Sequence, residues 1–217
     1  MLTVACVYWR GSWEKNPGLY TSEWVDKLKN MVSRNMSVPY QFVCLTNTEV
    51  NCEKISLIND WPGWWSKLEL FRPGLFDDKV LYLDLDVLIL KDLTELVTYP
   101  SPFILAKGHA THGLYINRGK GLEIRRYQGS VMCFERGMGT DLYTNFKPET
   151  DIPKYYSDED YIGDVYQNLE TYPESWIKKL EECPKGIPPE GTKIVLCIPE
   201  KNDIAVNKYP WVKDIWK

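Results

Sequence analysis

Apolar strand-like runs alternate with stretches of helical period through the first hundred residues. TVACVYW (3–9), YQFVCLT (40–46), KISLI (54–58) and KVLYLDLDVLIL (79–90) read as strands. Between the first two, Trp24, Leu28, Met31 and Val32 fall at i, i+4, i+7 and i+8, which predicts a helix capped by Thr21 or Ser22. This strand–helix–strand order predicts a mostly parallel α/β sheet covered on both faces. Pro62-Gly63 opens a segment whose Trp64, Leu68 and Phe71 share a helical face, and Arg72-Pro73-Gly74 stops it. Farther on, KDLTELVTY reads as a short helix, and PFILAKG and GSVMCFERG as strands. SDEDYIGDVYQNL (157–169) reads as a helix facing inward through Tyr161, Ile162, Val165 and Leu169. The Pro/Gly-rich CPKGIPPEG predicts a loop, TKIVLCI a strand and KYPWVKDIWK an aromatic tail. No repeat or low-complexity segment interrupts the pattern.

At 217 residues, 44% hydrophobic and 26% charged, the chain fits one globular domain with a substantial core. A net charge of -4 gives no electrostatic reason to expect nucleic-acid binding. The opening MLTVACVYWRGSW has neither a basic leader nor a small-residue cleavage site, so no signal peptide is expected, and no apolar run is long enough to span a bilayer. Six scattered cysteines without a CxxC pair predict buried, reduced thiols in a cytoplasmic protein. His109 and His112 form an HxxH that reads as loop polarity more than as a zinc site.

The chemistry concentrates in KVLYLDLDVLIL. On one continuous strand, Val80, Tyr82, Asp84, Asp86, Leu88 and Leu90 would share a face, opposite Leu81, Leu83, Leu85, Val87 and Ile89. Two carboxylates in an apolar strand need a cation or hydrogen-bond donors. If sheet pairing ends or bends near them, they stand at the carboxyl end of a strand, where open α/β sheets bind ligands, and hard oxygen donors suit Mg²⁺ or Mn²⁺ bridging a diphosphate. Three readings fit: structural aspartates, a phosphatase-type DxDxT strand, which requires Thr or Ser where Leu88 stands, and a nucleotide-sugar Asp-x-Asp site.

The run WWSKLELFRPGLFDDKVLYLDLDVLILKDLTEL resembles the donor-site segment of GT-A glycosyltransferases, particularly the retaining group with glycogenin and the lipopolysaccharide galactosyltransferases. Lys67, Leu68, Tyr82, Leu83, Asp84, Asp86, Leu93 and Leu96 match that pattern in order. The resemblance implies a single GT-A (Rossmann-like) domain over 1–217, with a nucleotide-sugar-binding half at 1–100 and an acceptor-side half and tail at 101–217. It further implies a metal-assisted, retaining hexosyl transfer from a UDP-type donor to a carbohydrate, lipid or protein acceptor, with Mn²⁺ or Mg²⁺ on Asp84 and Asp86.

By the same resemblance, Tyr8 and Trp9 lie where the base is held, Asn47 stands for the Asp of an LTD strand end, and Lys67 partners the donor phosphates or the Asp pair. YQGSVMCFERG resembles the strand lining the sugar pocket, which points to Gly129 and Ser130, with Gln128 where Asn is usual. SDEDYI resembles the group's DQD, so Asp160 first and Asp158 second are the candidate catalytic carboxylates, while Ser157 with Asp160 also approximates a capping box. The group completes its metal shell with a C-terminal His, and this chain has none after His112; Asn202, Asp203 or water are the substitutes. The alternative from another class is a non-catalytic nucleotide-sugar or carbohydrate-binding protein. INRGKGLEIRR (116–126) reads as a hairpin or an acceptor-side loop.

Overall fold

The computed structural model describes residues 1–13, 19–108, 115–117, 121–123, 127–198 and 200–217. β1 (Leu2–Tyr8), α1 (Ser22–Arg34), β2 (Tyr40–Thr46) and β3 (Glu53–Ser56) open the chain as the periodicity predicts. A 3-10 helix, Gly63–Phe71, leads to β4 (Val80–Leu83) and β5 (Val87–Ile89), and α2 (Thr94–Val97) and β6 (Phe103–Lys107) follow. The strands β7 (Tyr115–Asn117) and β8 (Gly121–Glu123) pair antiparallel. Next come β9 (Tyr127–Phe134), α3 (Thr140–Thr144), α4 (Pro148–Lys154) and α5 (Asp158–Val165). The remainder forms β10 (Glu170–Thr171), β11 (Ile177–Lys179), β12 (Ile194–Leu196), α6 (Asn202–Lys208) and α7 (Pro210–Ile215).

Seven strands form one sheet in the order β10-β6-β9-β4-β1-β2-β3, parallel except where β9 runs against β4 and β6. Alternation along β1 divides the interior in two. Val4, Cys6 and Tyr8 join one buried cluster with Trp24, Leu28, Met31 and Val32 of α1, while Ala5 and Val7 join the other with Trp65, Leu68 and Phe71. The covered sheet is therefore apolar on both faces, as its near-continuous hydrophobic strands require. All six cysteines are free; five are buried and Cys52 is half-buried. Among the described residues no helix is long and apolar enough to cross a membrane.

Four sequence expectations change. KVLYLDLDVLIL is not one strand. After Leu83 the chain leaves the large sheet, turns, and re-enters as β5 in a three-stranded sheet of order β11-β12-β5. The predicted face of Leu81, Leu83, Leu85, Val87 and Ile89 does pack into one cluster, but Leu88 breaks the alternation by joining it.

The 64–71 segment is 3-10 rather than α. With three residues per turn, Trp65, Leu68 and Phe71 become the buried row, and Trp64 and Lys67 share the row facing the cleft described below. Glu69, fully buried, pins this helix by accepting from the backbone N–H of Ile58 (2.9 Å) and Asn59 (2.8 Å).

The helix of SDEDYIGDVYQNL stops at Val165, which is exposed, because the chain extends at Tyr166 and the Leu169 N–H donates to the Tyr127 hydroxyl (2.8 Å). The aromatic tail is helical. Trp216 meets Trp24 of α1 edge-on at 4.7 Å, which gives the tail a buried face that its short sequence pattern does not display. His109 and His112 lie outside the described residues, as does part of 116–126.

Candidate functional site

Asp84 and Asp86 occupy the turn between β4 and β5, at the carboxyl end of a central strand. The Asp84 N–H donates to the Ser130 carbonyl (2.9 Å), which holds the last rung to β9, and the Val87 N–H returns to the Asp84 carbonyl at 3.4 Å. This turn opens into a cleft of about 250 Å³ whose lining includes Trp9, Lys67, Tyr82, Asp158, Glu159 and Lys201.

Lys67 is the hub. Its Nζ lies 2.9 Å from Asp158 Oδ2 and 3.6 Å from Asp84 Oδ1, although the side chain is almost wholly buried. Burial by itself pushes an ammonium pKa down, but the charges of Asp158, Asp84 and Glu159 outweigh that and leave Lys67 above the ordinary lysine value. Burial also raises the Asp158 carboxyl, with Lys67 opposing, and raises Asp84, again opposed by Lys67. The Tyr82 hydroxyl donates to Asp84 Oδ1, and burial followed by the Asp84 charge holds that phenol well above its ordinary value, so it remains a donor.

Asp86 has a separate set of partners. Its Oδ2 accepts from the Tyr20 hydroxyl (2.9 Å) and from the ammonium of Lys201 at the start of α6. With its amide oriented to satisfy both neighbours, Asn202 donates to the Asp86 carbonyl (2.8 Å) and accepts from Trp216 Nε1 (3.2 Å). The tail helices thereby fix the second aspartate.

On the third side, Glu159 Oε1 accepts from Gln128 Nε2 (2.6 Å) and the Gly129 N–H (2.8 Å), tying the first turn of α5 to β9. A Cβ on Gly129 would stand 3.1 Å from Asp158 Oδ2, 3.1 Å from Glu159 Cγ and 3.5 Å from Lys67 Nζ. The glycine is therefore explained by close approach to the acids. Gly129→Ala is expected to shift Asp158 and cost about 1–3 kcal/mol by overpacking, measured by a melting curve. A parent-like melting curve would show that the acids accommodate the methyl.

The predicted site residues separate. Lys67, Asp84, Asp86, Ser130, Asp158 and Trp9 line one cleft, and Gly129 packs against its acids. Tyr8 belongs to the core, its hydroxyl donating to the Tyr20 carbonyl at 3.3 Å, so of the two residues at the end of β1 only Trp9 lines this cleft. Asn47 accepts from the Arg10 N–H (2.8 Å) and donates to the Arg10 carbonyl (3.0 Å), which makes it the clasp of the segment after β1. Asp160 is buried and is not a cleft-lining residue; Asp158 and Glu159 are. Ser157 is the N-cap of α5 but makes no side-chain cap bond, so the anticipated capping box does not form; the first two acids of that turn face Lys67 and β9 instead.

Sequence reasoning missed Tyr20, Tyr156 and Lys201. Lys201 lies 115 residues from Asp86, in a stretch considered only for possible metal ligands.

The expected divalent ion meets a poor fit. Asp84 and Asp86 supply oxygen donors, but each faces an ammonium, Lys67 at 3.6 Å in one case and a bonded Lys201 in the other. A like charge 4 Å away costs about 4 kcal/mol per unit of charge at the effective dielectric near a protein surface, and a divalent ion doubles it. Asp203 is exposed and Asn202 is committed to Asp86 and Trp216, so neither stands in for the missing histidine. Among the described residues no group of three or more His, Cys, Asp or Glu could hold a metal.

Comparison with solved structures follows the same architecture. The galactosyltransferase LgtC, solved with donor and acceptor sugar analogs, is similar with a TM-score of 0.62 at 12% identity, covering 99% of this chain and 96% of that one. The bifunctional glycosyltransferase WbbM gives 0.61 at 14% identity, covering 99% of this chain but 51% of its own. The glycosyltransferase GlyE of Streptococcus pneumoniae TIGR4 gives 0.60 at 13% identity, with 93% and 56% covered. No protein-family model and no curated protein sequence matches. A central sheet with one antiparallel strand, an acidic turn at the end of β4 and these structural neighbours together show that the chain has the GT-A glycosyltransferase fold, resembling LgtC.

Proposed function

We propose that the protein transfers a sugar from a nucleoside diphosphate donor, UDP-linked in the first instance, to a hydroxyl acceptor. The observation that carries this reading is the convergence of Lys67, Lys201, Asp84, Asp86 and Asp158 on one cleft at the carboxyl end of β4 in a GT-A fold.

The anomeric carbon–oxygen bond breaks with its electron pair left on the β-phosphate oxygen. The acceptor oxygen bonds to that carbon, and its proton passes to the released diphosphate. Lys67 and Lys201 are the cationic groups able to face the developing phosphate charge. Asp158, paired with Lys67 at 2.9 Å, is the carboxylate that would stabilise an oxocarbenium-like centre. The cleft is lined by Asp158 and not by Asp160, so this reading gives the role to Asp158, two residues before the one first favoured by sequence. Trp9 offers its ring for stacking on a base. Trp64 and Tyr156, near-parallel at 26° with ring centres 6.3 Å apart, give the cleft an aromatic wall suited to a sugar face.

The test is nucleotide release and thermal shift with a panel of nucleoside diphosphate sugars. At least one donor is expected to raise the melting temperature and to yield free nucleoside diphosphate slowly in water. Asp84→Asn is expected to reduce release at least about tenfold, because the turn loses its charged partner for Lys67. Binding without release by any donor favours the non-catalytic binding protein, and no shift with any of them removes the nucleotide-sugar reading.

A further inference from the structure

We propose that Lys201, acting with Lys67, supplies the positive charge that an Asp-x-Asp turn otherwise draws from a divalent cation, so that the transfer proceeds without a metal. This inference rests on the nucleotide-sugar reading above.

Three observations converge on it. Lys201 Nζ is bonded to Asp86 Oδ2, which places an ammonium against the second carboxylate of the pair. Tyr20 donates to that same oxygen at 2.9 Å, and the Lys201 ammonium lies 5.6 Å from the centre of the Tyr20 ring, so the lysine sits on an aromatic wall beside the acid. Lys201 is also a cleft-lining residue with 28% of its side chain exposed, and its charge is therefore presented to whatever enters.

The position of Lys201 is built, not incidental. It caps α6, and the next residue, Asn202, is fully buried and bridges the Asp86 carbonyl to Trp216 Nε1. Trp216 packs edge-on against Trp24 of α1 at 4.7 Å. The tail is thus held by the core on one side and by the aspartate turn on the other, and Lys201 is delivered to Asp86 by that anchorage. Asp84 has an equivalent arrangement, with Lys67 at 3.6 Å and the Tyr82 hydroxyl donating to it. Each carboxylate of the turn therefore has one lysine and one tyrosine.

Functionally, the two ammonium groups do what a bridging cation would do. They neutralise the turn and face the β-phosphate oxygen that gains charge as the anomeric bond breaks. A lysine delivers this charge as a point cation on a flexible stem, able to move from Asp86 to the phosphate without leaving the cleft.

The experiment uses the full chain and the donor that scores in the release assay, after exhaustive treatment with EDTA. Nucleotide release in EDTA is expected to stay within about twofold of that in Mn²⁺ or Mg²⁺, whereas Lys201→Ala is expected to lose about a hundredfold in EDTA, the size of effect seen when one donor to a developing oxyanion is removed. A readout independent of turnover is Mn²⁺ binding, followed by the electron paramagnetic resonance signal of the free ion. The parent is expected to leave that signal unchanged, and Lys201→Ala or Lys201→Gln, each checked for folding by circular dichroism, to deplete it because Asp86 loses its ammonium.

Loss of release in EDTA with recovery on adding Mn²⁺ overturns the inference while leaving the transferase reading intact. So does Mn²⁺ binding by the parent, or a Lys201→Ala protein as active in EDTA as the parent. Absence of release under every condition overturns the transferase reading and this inference with it.

Discussion

Lys67→Ala is expected to reduce donor turnover about a thousandfold, the upper range for removing a charged group aimed at a developing anion. The ammonium stands 2.9 Å from Asp158 Oδ2 and 3.6 Å from Asp84 Oδ1, and its removal leaves both acids without their cation. Breaking a buried ion pair by deleting one partner costs about 3–5 kcal/mol, because the remaining charge is stranded in low dielectric. The substitution therefore has two separable signatures, a lower melting temperature and a lower rate. Lys67→Met, which keeps the stem and removes only the charge, is expected to recover part of the stability and none of the turnover. If Lys67→Ala melts early yet turns donor over at the parent rate, Lys67 is a structural counter-ion and the site assignment falls.

Trp65→Ala is expected to be the most destabilising substitution of an uncharged residue near the site. Trp65 is fully buried, stacks on Phe146 at 5.3 Å and 22°, and anchors the 3-10 helix that carries Lys67 two residues later. Large-to-small changes of buried tryptophan cost about 3–5 kcal/mol. In a chain of this size that is a fall of about 10 °C in melting temperature, readable by calorimetry. A fall of only a degree or two would mean that the helix collapses into the space and is held mainly by Glu69 and its two backbone bonds.

Much of the fold was legible because it is written in local periodicities. β1, α1 and β2 appear in the structure where apolar spacing placed them, and α1 adds Val25 to the four residues predicted inward. The places where sequence reasoning went astray share a cause. The 64–71 segment has residues compatible with either an α or a 3-10 helix; it forms the tighter one, with Glu69 bonded to the Ile58 and Asn59 backbone, contacts outside the segment's own periodicity. The aspartate strand has an apolar pattern that continues through Asp84–Asp86, and only a second sheet waiting at β12 decides that the chain should break there.

The same division holds for the site. The Asp-x-Asp pair was visible from residue types and order, Lys67 through the resemblance of its segment, and the acids of SDED drew attention to the segment that supplies Asp158. The string ranked Asp160 above Asp158; both lie in one helical turn and both are buried, and only their orientation separates them, Asp158 lining the cleft and Asp160 not. Both ends of the Asn47 amide bond the Arg10 backbone, a contact that no residue pattern displayed.

By itself, then, the sequence determined a covered, mostly parallel α/β sheet and two acids at a strand that cannot bury them unpaired, because periodicity and the cost of burying charge act on neighbours along the chain. Lys67 was already indicated by the resemblance of its segment, but the second cation facing those acids, Lys201, was decided by tertiary structure alone. Lys67 comes from a 3-10 helix before the strand and Lys201 from a tail 115 residues beyond it, and a contact across such separations is fixed by how layers pack, which no local pattern records.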